Sequence, residues 1–390
     1  MKKAVKVIIF IILVIAIVLA GALAYMTMTE YKPDKIEQLE VMGQENIGDQ
    51  MQQQADQYAQ GNYEWQPEDQ QVNTPKIFKK SKLRLVTWNI GYGALGSGAD
   101  FFMSGGDGVI TATEKEVREN TNSIINRLNE FGADAYFLQE VDRDSKRSHG
   151  FDEVEMITEQ MGVGSAENGI EKRYATFANN IKVNYIPYPW PPLGKTDSGI
   201  LTVSKYQFAD STRYSLPVSF KWPVRTCNFK RCLMVNRIPV ENTDKDLVLI
   251  NLHLEAFDDG KGKEEQTKEL LRLMNDEYRV GNYVIAGGDF NQTFSTVDKD
   301  AYPAVKGTWQ PGAIDAKDFG ENWSLRMDDR VPTARSLYKP FKKADRDDFP
   351  FYMLDGYIVS DNIKVDDIET IQFDFENTDH NPVLMEVTLK

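Results

Sequence analysis

The fold of this chain is limited most by a series of short apolar runs with the length and composition of buried strands. Several of these runs follow one another with no helical pattern between them, which argues against one doubly wound sheet. Helical spacing of apolar residues occurs at residues 114–131, 152–161 and 263–279. We therefore predict an α+β fold in which two β-sheets pack on each other with helices outside. The strand-like runs are residues 83–90, 134–140, 198–206, 246–256, 282–290, 352–360 and 382–389.

The chain begins with a basic stretch, and an unbroken apolar run from residue 7 to residue 26 follows. This run is long enough to span a bilayer as a helix. Lys2, Lys3 and Lys6 precede it and favour a cytoplasmic N-terminus, as in a bacterial single-pass protein. A cleaved signal peptide is the alternative, because residues 22–24 have the small-residue pattern of a cleavage site. We favour the uncleaved anchor, because the run is long for a signal peptide.

Composition divides the chain into three parts. We predict a cytoplasmic stub and transmembrane anchor at residues 1–30, and a Gln-rich flexible stalk at residues 31–80. The stalk is rich in Gln, Asp and Glu and poor in aliphatic residues, which offers too little apolar burial to offset the entropy of folding. Residues 81–390 then form one folded domain, predicted to be extracytoplasmic at the cell membrane.

The formal net charge is −14, and the first 30 residues are basic, so the folded domain is strongly acidic. Such a domain repels polyanions at long range, which argues against loose electrostatic binding to nucleic acid or anionic lipid. A local basic patch or a bound divalent cation would offset this repulsion. The two cysteines, Cys227 and Cys232, are compatible with an extracytoplasmic disulfide or with two free thiols, and spacing does not decide between them.

Nearly every strand-like run ends in a charged or amide residue at its C-terminal end, while Asp355 interrupts one run and Asp379 and His380 precede the last. Burying such groups without partners costs a few kcal/mol each, so a core alone does not explain them. Converging strand ends would gather them into one acidic cleft that holds two of the chain's three histidines. Carboxylate and amide oxygens suit a hard divalent cation such as Mg²⁺ better than Zn²⁺. The residues are Asn89, Glu140, His253, Asp289, Asn291, Asp355, Asp379 and His380.

Six short motifs carry a resemblance to a known family: "TWNI", "LQEVD", "NLHLE", "GGDFN", "LDGYIVS" and "TDHNPV", in that order along the chain. From about residue 83 to residue 389 the chain resembles the endonuclease/exonuclease/phosphatase superfamily, which has the fold of deoxyribonuclease I. The resemblance implies a four-layer α/β/β/α sandwich of two packed mixed β-sheets flanked by helices. It also implies a hydrolase of phosphoester bonds that depends on Mg²⁺, with Mn²⁺ as a substitute.

The resemblance assigns roles by position. Glu140 resembles the main metal ligand, with Asn89 and Asp379 beside it. Asp289 resembles the residue that activates the attacking water, and His380 the histidine on the scissile phosphate. Asp355 would orient His380, while Asn291 and His253 would contact a phosphate oxygen or the leaving group. The predicted catalytic residues are thus His253, Asp289, Asn291, Asp355 and His380, and the predicted metal ligands are Asn89, Glu140 and Asp379.

The substrate is less constrained by the sequence. Arg143 and Arg147 are candidate phosphate-binding residues, with solvated loop charges as the alternative. The glycines of residues 91–98 lack the Lys-Ser/Thr of a P-loop and predict a flexible loop near the site. Residues 184–195, rich in Pro and aromatics, are a candidate membrane-touching lip or base-stacking wall, or a loop that packs on itself. Residues 306–350 are either a basic, aromatic rim or a solvated insertion.

We predict an extracytoplasmic phosphodiesterase with nuclease activity. A lipid phosphodiesterase or phosphatase at the membrane surface is the first alternative, and a non-catalytic surface binding module is the second. The predicted partners are a nucleic acid or a phospholipid head group and, through the N-terminal helix, the membrane. No protein partner is predicted.

Overall fold

A computed structural model describes residues 2–44, 74–165, 171–258, 260–298, 300–302, 305–344 and 349–390. The Gln-rich part of the predicted stalk lies almost wholly outside these residues. The helices are α1 (Lys2–Met28), α2 (Glu114–Phe131), α3 (Glu153–Gln160) and α4 (Lys261–Arg279).

The described strands form two large mixed sheets and two short pairs. The larger sheet contains β1 (Ile36–Gln38), β2 (Ile77–Phe78), β7 (Asp210–Ser215), β8 (Cys232–Glu241), β9 (Asp246–His253), β10 (Tyr283–Asp289), β13 (Trp323–Arg326) and β16 (Asp355–Ser360). The second sheet contains β3 (Lys82–Asn89), β4 (Ala135–Asp142), β5 (Tyr174–Ile186), β6 (Gly194–Ser204), β17 (Ile363–Thr370) and β18 (Val383–Leu389). The short pairs are β11 (Gln292–Phe294) with β12 (Gly312–Ile314), and β14 (Ala334–Arg335) with β15 (Phe351–Tyr352).

Three apolar clusters define four layers. One lies between the sheets, where Phe137 of β4 meets Ile285 of β10 and Tyr357 of β16. A second packs α4 through Leu270 on the outer face of the larger sheet, and a third packs α2 and α3 on the other sheet. The predicted α/β/β/α sandwich is confirmed. Helices α2, α3 and α4 each have an apolar stripe on one face only, which is why they lie outside the sheets.

The predicted stalk contributes to the folded part of the chain at both of its ends. β1 adds to the edge of the larger sheet, where Ile36 pairs with Tyr214. Ile77 of β2 is fully buried between the sheets and pairs with Val240. The sequence pattern missed both strands because three and two residues are too short to show a period. The division of the chain at residues 30 and 80 remains a prediction.

Helix α1 fits the length and hydropathy of a membrane span from Lys3 to Met28. A signal sequence passes the same test, so the span itself remains a proposal. The last turn of α1 contacts the folded domain: the Trp222 indole N–H donates to Thr27 Oγ1 at 3.1 Å. Most side chains earlier in the helix are exposed.

Both cysteines are free. Cys232 is buried at the start of β8, with its Sγ 3.3 Å from Asn180 Oδ1. Cys227 Sγ lies 3.5 Å from Met26 Sδ of α1. The two thiols have different neighbours, so the structure favours free thiols, one of the two alternatives that the sequence left open.

Candidate active site

Three acid–base residues lie in one row across the larger sheet. β9 and β10 are parallel, and their register places Asp289 beside His253. β16 is antiparallel to β10 and places Asp355 beside Asp289. Asp355 therefore begins its strand, whereas His253 and Asp289 end theirs. An antiparallel neighbour brings its first residue to the end of the sheet where the other strands finish. All three side chains therefore lie at the same end of the sheet.

His380 is held against this row by its neighbours. Its Nδ1–H donates to Asp355 Oδ2 at 2.8 Å, and its backbone carbonyl accepts from the Trp88 indole N–H at 2.9 Å. Burial alone lowers the pKa of His380, but the negative charge of Asp355 and this hydrogen bond raise it to about 10. The imidazole is therefore protonated at neutral pH, with Nε2 3.8 Å from Asp289 Oδ2.

The pKa of His253 shifts in the opposite direction from that of His380. Its Nε2 lies 3.4 Å from Asp289 Oδ2 and 4.0 Å from Glu140 Oε1. Burial, aided by the positive charge of Arg231, holds the pKa of His253 well below its usual value. One neutral imidazole and one protonated imidazole thus flank Asp289, which suits them to different proton-transfer roles.

The second sheet supplies Asn89 from β3 and Glu140 from β4 at the facing end, and Asp379 lies in the segment that leads into β18. Asn89 Nδ2 donates to Asp289 Oδ2 at 3.1 Å and lies 3.3 Å from Glu140 Oε1, so it joins the two sheets. Glu140 lies at a bulge in the pairing of β4 with β6 and has a φ of +54°. A bulge of this kind re-aims a side chain, and here Glu140 reaches the cleft. Burial raises the pKa of Glu140, and the charge of Asp379 raises it further.

Two residues with left-handed backbones shape the site. Asn291 has a φ of +51°; its backbone N–H donates to Asp289 Oδ1 at 2.8 Å and its side-chain amide to the Leu254 carbonyl at 3.0 Å. Gly91 has a φ of +54°, and a Cβ there would lie 2.8 Å from Thr378 Oγ1 and 3.1 Å from Asp379 Oδ1. Glycine therefore lets the segment that follows β3 lie against Asp379. That segment is largely buried, in contrast to the flexible loop predicted for residues 91–98.

The comparisons with known proteins agree with this geometry. A sequence model of the family described as "Endonuclease/Exonuclease/phosphatase family" matches residues 86–329, more than half of the chain. The chain belongs to the endonuclease/exonuclease/phosphatase family. Asp355, Asp379 and His380 lie beyond the matched residues, so their place in the site rests on the structure. A search of curated proteins gives no match.

Solved structures of the endonuclease/exonuclease/phosphatase family share the fold. A family protein from Beutenbergia cavernae is 18% identical, with a TM-score of 0.51, and the match covers 79% of this chain and 72% of that chain. One from Leptotrichia buccalis is 14% identical, with a TM-score of 0.50, covering 78% and 99%. ANGEL2, a 2′,3′-cyclic phosphatase solved with adenosine-2′,3′-vanadate, is 13% identical, with a TM-score of 0.51, covering 80% and 96%. These likenesses establish the fold.

Family members are phosphoester hydrolases, so this protein is an enzyme of that class. They generally use divalent metals, and the buried carboxylates here fit such an ion. Asp379 is buried and Glu140 is partly buried; burial raises the pKa of both carboxyls, and the charge of Asp379 raises that of Glu140 further, which a bound cation would relieve. Ligand atoms of Asp289, Asp355 and His380 also lie within 4.8 Å of one another. In that set a metal would have to displace the proton from His380.

The two arginines that the sequence offers as phosphate contacts lie in different surroundings. Arg147 lines the cleft, is buried, donates to both carboxylate oxygens of Asp142, and stacks 3.6 Å from the centre of the Tyr92 ring. Arg143 is half-exposed, near Asp152 and Phe177, and is not among the residues lining the cavity.

Sequence reasoning missed Arg231. This residue lines the cavity and is buried, and its Nη1–H donates to the His253 carbonyl at 3.2 Å. Its Nε has no hydrogen-bond partner in the described structure. The signal was a cation two residues after the aromatic Phe229, over whose ring its guanidinium lies at 4.4 Å. The stretch "CNFKRC" drew attention only to its cysteines.

One large cavity of about 700 Å³ contains the cleft. Glu140, His253, Asn291, Asp379 and His380 line its polar end. Most of its remaining wall is apolar and is contributed by the segments around residues 101–103, 186–193 and 220–229 and by the end of α1. Catalytic candidates and an apolar chamber thus share one continuous space.

A buried carboxyl behind the site predicts a dependence of stability on pH. Glu153 accepts hydrogen bonds from Thr121 Oγ1 at 3.0 Å and the Asp142 backbone N–H at 2.9 Å. Burial and the charge of Asp142 raise the pKa of Glu153 from 4.5 to about 8. The folded state therefore holds a proton that the unfolded state has lost between these values. The free energy of unfolding should fall as pH rises through this window, by at most about 1.4 kcal/mol per pH unit from this group.

We expect Glu153→Gln to flatten this decline, because glutamine has no proton to release. The measurement is urea unfolding of both proteins at several pH values between about 5 and 8 with EDTA present. Glu155→Gln, an exposed change on the same helix, should keep the wild-type slope. An unchanged slope in Glu153→Gln would show that Glu153 ionises normally.

Proposed function

We propose that the protein is a divalent-metal-dependent phosphodiesterase that acts outside the cytoplasm, anchored at the membrane surface by α1. The observation that carries the proposal is the meeting of two groups in one cavity. The first is the hydrogen-bonded pair of His380 and Asp355, and the second is the pair of carboxylates that line the cavity, the partly buried Glu140 and the buried Asp379. Phosphoester hydrolysis needs both a proton-transfer group and compensation for negative charge.

Asp289 is the proposed base. Burial and the charge of Asp355 raise its pKa to about 7, so it can accept a proton near neutral pH. Asn89 and the Asn291 backbone donate to its two oxygens and hold it in place. Water oxygen forms the new bond to phosphorus, its proton passes to Asp289, and the bond from phosphorus to the leaving oxygen breaks. The leaving oxygen takes up one proton from solvent and Asp289 returns the proton that it accepted to solvent, so the products are an alcohol and a phosphomonoester.

The remaining residues bind the phosphate. The protonated Nε2 of His380 is placed to donate to a phosphate oxygen, while the neutral His253 faces the leaving group or a second oxygen. A divalent cation held by Glu140 and Asp379, with Asn89 beside them, would neutralise charge on the phosphate when bound. Arg231 and Arg147 line the cavity and are the proposed cationic contacts. Arg143 is left out because it points to Asp152.

The shape of the cavity favours a substrate other than the nucleic acid that the sequence predicts. Within the predicted rim at residues 306–350, Trp323 is a core residue and Arg335 is buried, donating to the carbonyls of Leu95 and Gly96. These two residues are therefore not exposed contacts for a polynucleotide backbone, on which nucleic-acid binding depends. A phosphodiester with an apolar substituent fits the cavity better, and nuclease activity stays a prediction.

A substrate screen tests the proposal. Full-length protein in detergent micelles with Mg²⁺ or Mn²⁺ would be given plasmid DNA, single-stranded DNA, RNA, soluble inositol phosphates, phospholipid and bis-p-nitrophenyl phosphate. Glu140→Ala and His380→Ala serve as inactive controls. We expect metal-dependent hydrolysis of at least the small diester, lost in both variants. No hydrolysis of any substrate, together with no metal-dependent rise in melting temperature, would favour the non-catalytic binding module.

A further inference from the structure

The apolar end of the cavity is built partly from the proposed membrane helix. Leu23 and Met26, one turn apart on α1, line the same cavity as Glu140 and His380. Both are partly buried, whereas the helix before Leu23 is exposed. Cys227 of the facing segment also lines the cavity, and its Sγ lies 3.5 Å from Met26 Sδ. The helix therefore forms a wall of the cavity.

The length of α1 places this wall at the outer surface of a bilayer. The apolar run from residue 7 to residue 26 rises about 30 Å as a helix, which equals the thickness of the hydrocarbon core. If the run spans the membrane, Leu23 and Met26 lie where acyl chains meet head groups. The cavity then opens at the depth of the lipids themselves.

Exposed aromatic residues lie in two of the segments that contribute to the cavity wall. Trp190 is 88% exposed and Tyr188 is 70% exposed, in the connection between β5 and β6. Trp222 is also exposed and donates to Thr27 at the end of α1. Tryptophan and tyrosine are enriched at membrane–water interfaces, where an apolar ring meets a polar edge. Residues 184–195 thus present exposed aromatic side chains, which suits a membrane-touching lip.

Ion pairs of a residue just after α1 hold the end of this helix against the folded domain. Glu30 is buried, and its Oε1 accepts from Arg225 Nε at 3.1 Å and lies 3.4 Å from Lys230 Nζ. Buried ion pairs of this kind fix one geometry even where their net stabilisation is small. The cavity mouth therefore keeps one orientation relative to the helix axis and to the membrane.

From these contacts we infer that the substrate is a phospholipid of the same membrane that holds α1. An acyl chain occupies the apolar part of the cavity beside Leu23 and Met26, and the lipid's phosphodiester reaches the end lined by Glu140 and His380. In this hydrolysis, water adds to the phosphorus of the lipid and one ester oxygen leaves after taking up a proton. This inference rests on the proposed function.

The test compares lipid and soluble substrates with the full-length chain in nanodiscs of phosphatidylcholine and phosphatidylglycerol. Leu23→Trp fills the cavity mouth, and Val18→Trp places the same side chain on an exposed part of α1 away from the cavity. We expect Leu23→Trp to reduce lipid hydrolysis, followed by phosphorus NMR, at least about tenfold. Hydrolysis of bis-p-nitrophenyl phosphate, which has no acyl chain, should fall much less than hydrolysis of lipid, and Val18→Trp should change neither rate.

A second readout needs no metal. Binding of a short-chain phosphatidylcholine below its micelle concentration, measured by calorimetry in EDTA, should weaken in Leu23→Trp and not in Val18→Trp. Turnover of the soluble diester without turnover of lipid would overturn the inference and leave the proposed function standing, as would faster turnover of DNA than of lipid. Equal effects of the two tryptophan variants would also overturn it. Loss of activity on every substrate in the wild-type protein would reject the proposed function itself.

Discussion

Replacing Glu140 with alanine is expected to reduce hydrolysis of every phosphoester substrate by about 10³-fold, the scale of losing a main electrostatic contact in an active site. Glu140 is the carboxylate that the bulge in β4 directs into the cleft, opposite Asp379. Removing it leaves Asp379 without its partner for a divalent cation. The rise in melting temperature on adding Mg²⁺ or Mn²⁺ should disappear with the activity.

Two measurements check this expectation: steady-state hydrolysis of bis-p-nitrophenyl phosphate and a thermal melt with and without metal. Glu155→Ala removes an exposed carboxylate from α3 and should retain both properties of the wild type. Near-normal activity in Glu140→Ala, or a retained metal effect, would place the metal elsewhere, and the set of Asp289, Asp355 and His380 would become the first candidate.

Replacing His380 with alanine is expected to lower turnover by about 10²- to 10⁴-fold, the usual contribution of a positioned acid or base. The imidazole is held by Asp355 and presents Nε2 toward Asp289. The fold should persist, because His380 lies at the cavity wall and the core clusters do not include it. Turnover and circular dichroism of the two proteins measure these two effects.

Asp355→Asn extends this prediction. Asparagine keeps the shape of the side chain but removes the charge that orients the imidazole, so we expect a smaller loss, of about 10²-fold. His149→Ala is the matched control, because His149 is exposed and its Nε2 contacts the Ala112 carbonyl. Full turnover in His380→Ala, or an equal loss in His149→Ala, would contradict the assignment.

The sequence predicts the layers of this fold because the spacing of apolar residues along each element shows which of its faces is buried. It also predicts which polar residues gather, because a buried strand that ends in a carboxylate or imidazole needs a partner for that group. His253 and Asp289 follow this logic. Asp355 reaches the same place by a different route, at the beginning of an antiparallel strand. Strand direction is a property of topology, and the local sequence around Asp355 does not record it.

The features that the sequence does not predict depend on contacts distant along the chain. Arg143 and Arg147 look equivalent in sequence, yet only Arg147 turns inward, because buried Asp142 accepts from its guanidinium. Arg231 joins the cavity through pairing of β8 with β9, which places it near His253. The contact of α1 with residues 222–230 crosses almost two hundred residues of chain. No local period encodes such a contact.

The most direct test of the central claim is the metal dependence of hydrolysis by the full-length wild-type protein. Protein treated with EDTA and then dialysed would be assayed with bis-p-nitrophenyl phosphate before and after addition of Mg²⁺ or Mn²⁺. The site described here predicts no hydrolysis above background without metal and recovery when either ion is restored. Hydrolysis that persists without metal, or that neither ion restores in a folded protein, would contradict it.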